Sequence, residues 1–212
     1  IAADRNAQAI ELYRDWVPAG QADRENLLET DWRALPSHLE NGVDAILGDG
    51  VFGNLCTIEA HREMLEGLNR CLRPGGIMVF RQALLPDPPV GRWQAEHLVQ
   101  AFRNSELEAA GFGLAMRLFG MLHVAYDAAS HLLDNARVYE TYAGWLEAGK
   151  ITAEEHEILL RYYYGGQNSL LPRAEWEALL TQAGFRWERI QLSGRSWYAW
   201  YPLYRLLKHP AG

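Results

Sequence analysis

Two short apolar runs with one amphipathic helix between them narrow the fold more than any other feature of this chain. Val43-Asp44-Ala45-Ile46-Leu47 is closed by Gly48-Asp49-Gly50, and Ile77-Met78-Val79-Phe80 is entered through Pro74-Gly75-Gly76. Compact, mostly apolar runs of this length read as strands of a parallel sheet covered on both faces. Between them Ile58, Met64, Leu65, Leu68 and Leu72 recur at helical spacing over residues 57–72. Parallel neighbours cannot be joined by a tight turn, and a helical crossover is the connection they need. The pattern predicts an α/β fold with a Rossmann-like, doubly wound sheet.

The flanks extend the same alternation. Ile1-Ala2-Ala3-Asp4 reads as the tail of a buried strand ending in an acid. Ala9, Ile10, Tyr13, Trp16 and Val17 then mark a helix over residues 5–17, stopped by Pro18 and Gly20. Residues 26–30 form a short strand candidate that runs into Asp31-Trp32-Arg33. Late in the chain a helix over 172–183 carries Pro172 near its start and Gly184 beyond its end, as helix termini favour. Residues 185–192 and 196–204 follow as two strands, expected to form an antiparallel hairpin around Ser193-Gly194-Arg195.

The pattern breaks between positions 91 and 168. No convincing strand occurs there, and the segment reads as several helices containing Trp93, Phe102, Phe112, Phe119, Tyr126, Tyr139, Tyr142, Trp145 and the run Tyr162-Tyr163-Tyr164. The chain thus divides into a sheet core, residues 1–90 and 169–212, and a helical insertion or lid, residues 91–168.

At 212 residues the chain suits one such domain with an elaboration. Its net charge is -7, with no cluster of Lys or Arg to grip a phosphate backbone, so a nucleic-acid partner is disfavoured. The longest uncharged run, residues 162–172, falls well short of the roughly 18 apolar residues of a membrane span. Cys56 and Cys71 would lie ~22 Å apart along a helix at ~1.5 Å per residue, whereas a disulfide needs Cα atoms within about 7 Å. Two unpaired thiols fit a reducing, cytoplasmic setting. The seven histidines show no His-x-x-x-His or other metal-ligand spacing, and no metal site is expected.

Ligands of open parallel sheets bind at the carboxyl ends of the strands. Three acids end strands here: Asp4, Asp31 and Asp49. A carboxylate so placed can accept hydrogen bonds from both ribose hydroxyls of a nucleotide. Each can equally cap a turn or the next helix. Three on successive strand ends favour a cofactor site.

Ile1-Ala2-Ala3-Asp4-Arg5-Asn6, Asp31-Trp32-Arg33-Ala34-Leu35-Pro36 and Val43-Asp44-Ala45-Ile46-Leu47-Gly48-Asp49-Gly50 resemble the second, third and fourth strand motifs of class I S-adenosylmethionine-dependent methyltransferases. Leu72-Arg73-Pro74-Gly75-Gly76-Ile77-Met78-Val79 is similar to that family's turn into the fifth strand, and Ala183-Gly184-Phe185 to its entry into the sixth. The resemblance covers about residues 1–85 and 169–205. It implies S-adenosylmethionine as cofactor, with Asp4 on the ribose, Asp31 and Trp32 beside the adenine, and Gly48, Asp49 and Gly50 beside the methionine portion. No Gly-x-Gly-x-Gly loop is present. The family's first strand, which carries that loop, is expected to lie ahead of Ile1. That strand belongs between those ending at Asp4 and Gly48, so a gap is expected in mid-sheet.

Methyl transfer needs proximity and alignment rather than a covalent nucleophile on the protein. His97 and His123, in the insertion, are candidate substrate bases, against the alternative that they are hydrogen-bonded structural residues. The aromatic insertion suggests a small, partly apolar substrate or, alternatively, a homodimer interface. Two other functions fit parts of the pattern: a non-catalytic partner subunit of the same fold, and a nicotinamide-dependent oxidoreductase using Asp4 on its ribose.

Overall fold

The structure, a computed structural model, describes residues 1–14, 17–18, 20–86, 94–163, 165–195, 198 and 201–209. Trp16, Trp93 and Tyr164, named above, and position 91, where the insertion begins, lie outside the described residues. The chain is a mixed α/β fold with a Rossmann-like β-α-β core. Strand β1 (Ala2–Asp4) leads into helix α1 (Ala7–Arg14) and pairs in parallel with β2 (Leu27–Glu29). Strand β3 (Val43–Asp49) leads through helix α2 (Ile58–Cys71) into β4 (Leu72–Arg81), its parallel partner. The Thr57 hydroxyl caps α2 by accepting the Ala60 amide at 3.1 Å. Met64, Leu65, Leu68 and Cys71 form the face that α2 buries.

The Arg73-Pro74-Gly75-Gly76 segment is part of β4 rather than a separate turn before it. Leu72 pairs with Val43 and Ile77 with Ala45, so β4 uses three more residues than β3 over this stretch. Such a bulge requires glycine twice. Gly75 has φ of 74°, and a Cβ on Gly76 would sit 2.9 Å from the Arg73 carbonyl oxygen.

Helix α8 (Arg173–Gln182) precedes β8 (Phe185–Ile190), which pairs antiparallel with the last strand (Leu203–Lys208). That last strand also pairs antiparallel with β4, giving a four-stranded sheet. The hairpin expected from sequence forms, its second arm described over Leu203–Lys208, while Ser196 lies outside the described residues.

The two sheets are separate: β1 and β3 are not hydrogen-bonded to each other. Between them lies a void of about 540 Å³, walled by Ile1, Ala3 and Trp32 on one side and by residues 43–48 of β3 on the other. The sequence reading of β3 placed its apolar run inside a sheet. Here β3 is an edge strand, and Leu47 is 79% exposed.

The insertion is less purely helical than its sequence reads. It contains α3 (Ala95–Arg103), α4 (Ala109–Ala115), a π-helical turn (Met116–Gly120), α5 (Leu122–Ala125), α6 (Asn135–Glu147) and α7 (Ala153–Leu160). It also contains a small antiparallel sheet of β5 (Tyr126–Asp127), β6 (Leu132–Asp134) and β7 (Gln167–Ser169), with the last strand of the chain therefore β9. Strands of two or three residues are too short to show a period, which is why the sequence hides them.

Each part has its own core. In the sheet part Trp176 is fully buried and meets the ring edges of Phe52 at 5.0 Å, Phe80 at 5.7 Å and Tyr204 at 6.5 Å. In the insertion Phe112, Phe119 and Tyr142 are buried, with Phe102 stacked on Phe112 at 4.4 Å. Truncating the shared anchor, Trp176→Ala, is expected to cost about 3–5 kcal/mol in urea unfolding. Trp176→Phe is expected to cost far less, because the indole Nε1 is buried without a partner. Near-equal losses would show that ring packing around Trp176 does not hold the core.

Candidate functional site

The carboxyl ends of β1, β3 and β4 carry the residues on which chemistry can be built. Asp4 ends β1, and one of its oxygens accepts the Asn6 amide at 2.9 Å, an Asx turn that aims the carboxylate past the strand end. Trp32 is tied to the same strand: its indole Nε1 donates to the Ala3 carbonyl at 2.7 Å, and it lines the 540 Å³ void together with Gly48. The structure thus brings Trp32 and Gly48 to one cavity, with Asp4 one residue beyond the Ala3 anchor.

The other two acids are engaged with arginines. Asp31 Oδ1 accepts Arg33 Nε at 3.1 Å and the Arg33 amide at 2.9 Å, while Oδ2 accepts the guanidinium at 2.7 Å. These bonds from the Arg33 side chain and then its backbone hold the Asp31 carboxyl at about 2, well below the usual carboxylate range. Asp49 binds Arg81 through both its oxygens, Oδ1 to Nε at 3.0 Å and Oδ2 to the guanidinium. That pair joins the ends of neighbouring strands β3 and β4. Arg81 in turn lies over the Tyr201 ring, 5.6 Å from its centroid.

Gly50 follows with φ of 67°, and a Cβ there would lie 2.1 Å from the Tyr201 hydroxyl oxygen. Both the backbone and the space admit only glycine. Burial, followed by the Asp49 charge, pushes the Tyr201 hydroxyl up to about 12, so it stays protonated and can donate.

A second, smaller void of about 30 Å³ sits where the sheet core meets the insertion. Gly50, Gln82 and Tyr201 line it from the core, and Arg117 and Asn168 from the insertion. A chain of buried polar groups ties this junction. Asn168 Nδ2 donates to the Gly53 carbonyl at 3.1 Å, and its Oδ1 accepts Asn135 Nδ2 at 3.0 Å. His61 Nδ1 donates to the Thr57 carbonyl at 2.7 Å, leaving Nε2 to face Ser169 Oγ at 3.1 Å. Arg117 rides on the π-helical turn, a feature that concentrates at functional sites.

His97 and His123 are both exposed, on α3 and α5, and neither lines either void. Among the described residues no three His, Cys, Asp or Glu side chains gather as a metal site. Nor does any described helix have the length and apolarity to cross a membrane. Cys56 is exposed and Cys71 buried, and both are free. Sequence reasoning did not name Gln82, Arg117, Asn168 or Tyr201. Of these, only Gln82 had a usable signal, its place just past the carboxyl end of a parallel strand.

No family model matches the sequence, and no curated protein matches it either. Solved structures match its fold. A methyltransferase from Methanosarcina mazei described as S-adenosylmethionine-dependent aligns over 99% of this chain and 81% of its own length, with TM-score 0.51 and 11% identity. A protein from Rhodobacter sphaeroides described as a putative zinc-dependent alcohol dehydrogenase aligns over 99% and 75%, with TM-score 0.57 and 16% identity. A possible exported protein from Bordetella parapertussis aligns over 99% of this chain, with TM-score 0.54 and 16% identity. The chain spans about half, 52%, of that protein's length. Further matching structures are also described as methyltransferases.

The junction makes a pH prediction. Burial lowers the His61 pKa below its ordinary value of about 6.5, so the folded state holds this ring neutral. The unfolded chain then binds the proton more readily than the folded one. Stability is therefore fully present above about pH 6.5 and falls as the pH drops below it. Urea midpoints at pH 7.5 and 5.5 are expected to differ more in the parent chain than in His61→Gln. Equal differences would mean that His61 is not held neutral.

Proposed function

We propose that this chain acts as an S-adenosylmethionine-dependent methyltransferase on a small molecule. The observation that carries this is that Trp32, its indole tied to the Ala3 carbonyl one residue before the strand-end carboxylate of Asp4, lines the same cavity as Gly48. Nothing among the described residues engages the second oxygen of Asp4, so it remains available to a ribose hydroxyl. The fixed Trp32 face suits an adenine edge. Asp31 and Asp49 fit less directly, since both oxygens of each already hold a guanidinium, and their part is to fix the strand ends.

When bound, S-adenosylmethionine supplies a methyl group on a positively charged sulfur. The protein's own share is to hold the donor, hold the acceptor in line with it and keep water from between them. The insertion meets the loop after β3 through Asn168 and Arg117, and surface segments beside a strand's carboxyl end often select substrates. Its aromatic residues mostly pack its own core, so the expected apolar character of the substrate has little support from them. The methyltransferase descriptions attached to structures of this fold support the same class of reaction. The alcohol-dehydrogenase description favours the second reading, a nicotinamide enzyme in which Asp4 would again hold a ribose.

Calorimetric titration separates the two. S-adenosylmethionine or its demethylated product is expected to bind, and NADH to bind more weakly or not at all. Asp4→Ala is expected to lower affinity tenfold or more, from the loss of hydrogen bonds to a charged acceptor at about 1.5–3 kcal/mol each. Tighter binding of NADH would contradict the methyltransferase reading, and unchanged affinity in Asp4→Ala would remove that residue from the site.

A further inference from the structure

The void between Gly50, Gln82, Tyr201, Arg117 and Asn168 has a composition that packing does not require. Gln82 is only 1% exposed, yet its Oε1 has no hydrogen-bond partner, while its Nε2 donates to the Ala83 carbonyl at 3.1 Å. A buried amide oxygen without a donor loses about 1–3 kcal/mol, a cost that persists where a ligand or water supplies the missing bond. From the insertion side Arg117 brings a positive charge to the same space, its NH1 3.5 Å from Asn168 Oδ1. The nearby phenols add no counter-charge: burial raises Tyr139 and Tyr201 to about 12 and Tyr142 well above its ordinary value. The lining of this void therefore includes an unpaired acceptor, Gln82 Oε1, and a cationic side chain, Arg117. Tyr201 adds a neutral hydroxyl beside Gly50.

We infer that this void receives the head group of the substrate, a carboxylate with a neighbouring hydroxyl or amine. Arg117 binds the carboxylate, and Gln82 Oε1 accepts the hydrogen of the O–H or N–H beside it. The inference rests on the methyltransferase reading for its account of why a substrate binds next to Gly50. About 30 Å³ accommodates roughly two groups of water size, which is room for one carboxylate oxygen and the neighbouring hydroxyl or amine of the head group. The junction network supports the same assignment. The Asn168 bonds to Gly53 and Asn135 fix the wall on which Arg117 leans, so the charge is held in place without a flexible search.

The probe is glycolate, the smallest acid with an adjacent hydroxyl, with acetate as the comparison that lacks it. Binding is followed on the unmodified chain by NMR of the glutamine side-chain amides and arginine Nε–H groups, with no cofactor present. Glycolate is expected to shift the Gln82 amide and the Arg117 Nε–H, and to bind at least tenfold more tightly than acetate. Gln82→Leu is expected to abolish that preference, and Arg117→Gln to weaken both acids at least tenfold. S-adenosylhomocysteine affinity is measured on the same Gln82→Leu sample and is expected to be unchanged. Equal binding of the two acids, or no shift at Gln82 with 50 mM glycolate, overturns the inference and leaves only an ordered water in the void. Because the acids are tested without cofactor, failure of S-adenosylhomocysteine to bind while glycolate binds would instead strike the methyltransferase reading. If Gln82→Leu does not fold, the glycolate-to-acetate ratio on the unmodified chain still decides.

Discussion

The parallel ladder between β3 and β4 positions both candidate cavities. Its six paired positions run from Val43 against Leu72 to Asp49 against Arg81, and the last pair is closed by a two-bond ion pair between those side chains. A ladder fixes register absolutely, since a slip of one residue would turn every side chain to the other face. The Arg-Pro-Gly-Gly bulge absorbs the mismatch at the start of the ladder, and the Asp49–Arg81 pair pins its end. Along its outer edge β3 walls the larger void, and at its carboxyl end it delivers Gly50 to the smaller one.

The polar junction follows from that placement. Insertion strand β7 reaches back to the loop after β3, where Asn168 and Ser169 take the carbonyls of Gly53 and Phe52. Buried amide and hydroxyl groups are costly unless paired, and most of these are paired across the boundary between the two cores. Their geometry fixes the insertion to the sheet at one edge. Gln82 Oε1 and Asn135 Oδ1 are the amide oxygens of this junction that no described residue pairs, and an unpaired buried acceptor calls for a group that supplies the missing bond.

Much of the architecture was legible in the residues. The β3–α2–β4 unit could be read from two apolar runs and a helical stripe because a parallel crossover imposes both spacings. The apolar composition of β3 did not reveal its exposure, because composition does not report which position in a sheet a strand occupies. The three-residue strands of the insertion left no pattern. At the site, Asp4 and Trp32 were read from their places after β1 and β2, but the arginines that occupy Asp31 and Asp49 were not. Arg33 and Arg81 lie two and thirty-two residues away, and only the folded geometry selects them. Arg117, Asn168 and Tyr201 come from three distant stretches, and nothing in their local sequence sets them apart from other polar side chains.

The central claim is that the carboxyl edge beside β1 and β3 is a nucleoside site, with a separate acceptor pocket beyond Gly50. A crystal structure of the chain with S-adenosylhomocysteine tests it most directly. The account predicts ribose hydroxyls on Asp4, the adenine edge beside Trp32, and the sulfur near Gly48 and Gly50 on the side facing Gln82. A nucleoside seated elsewhere, or one bound with Asp4 still turned only to the Asn6 amide, would contradict it.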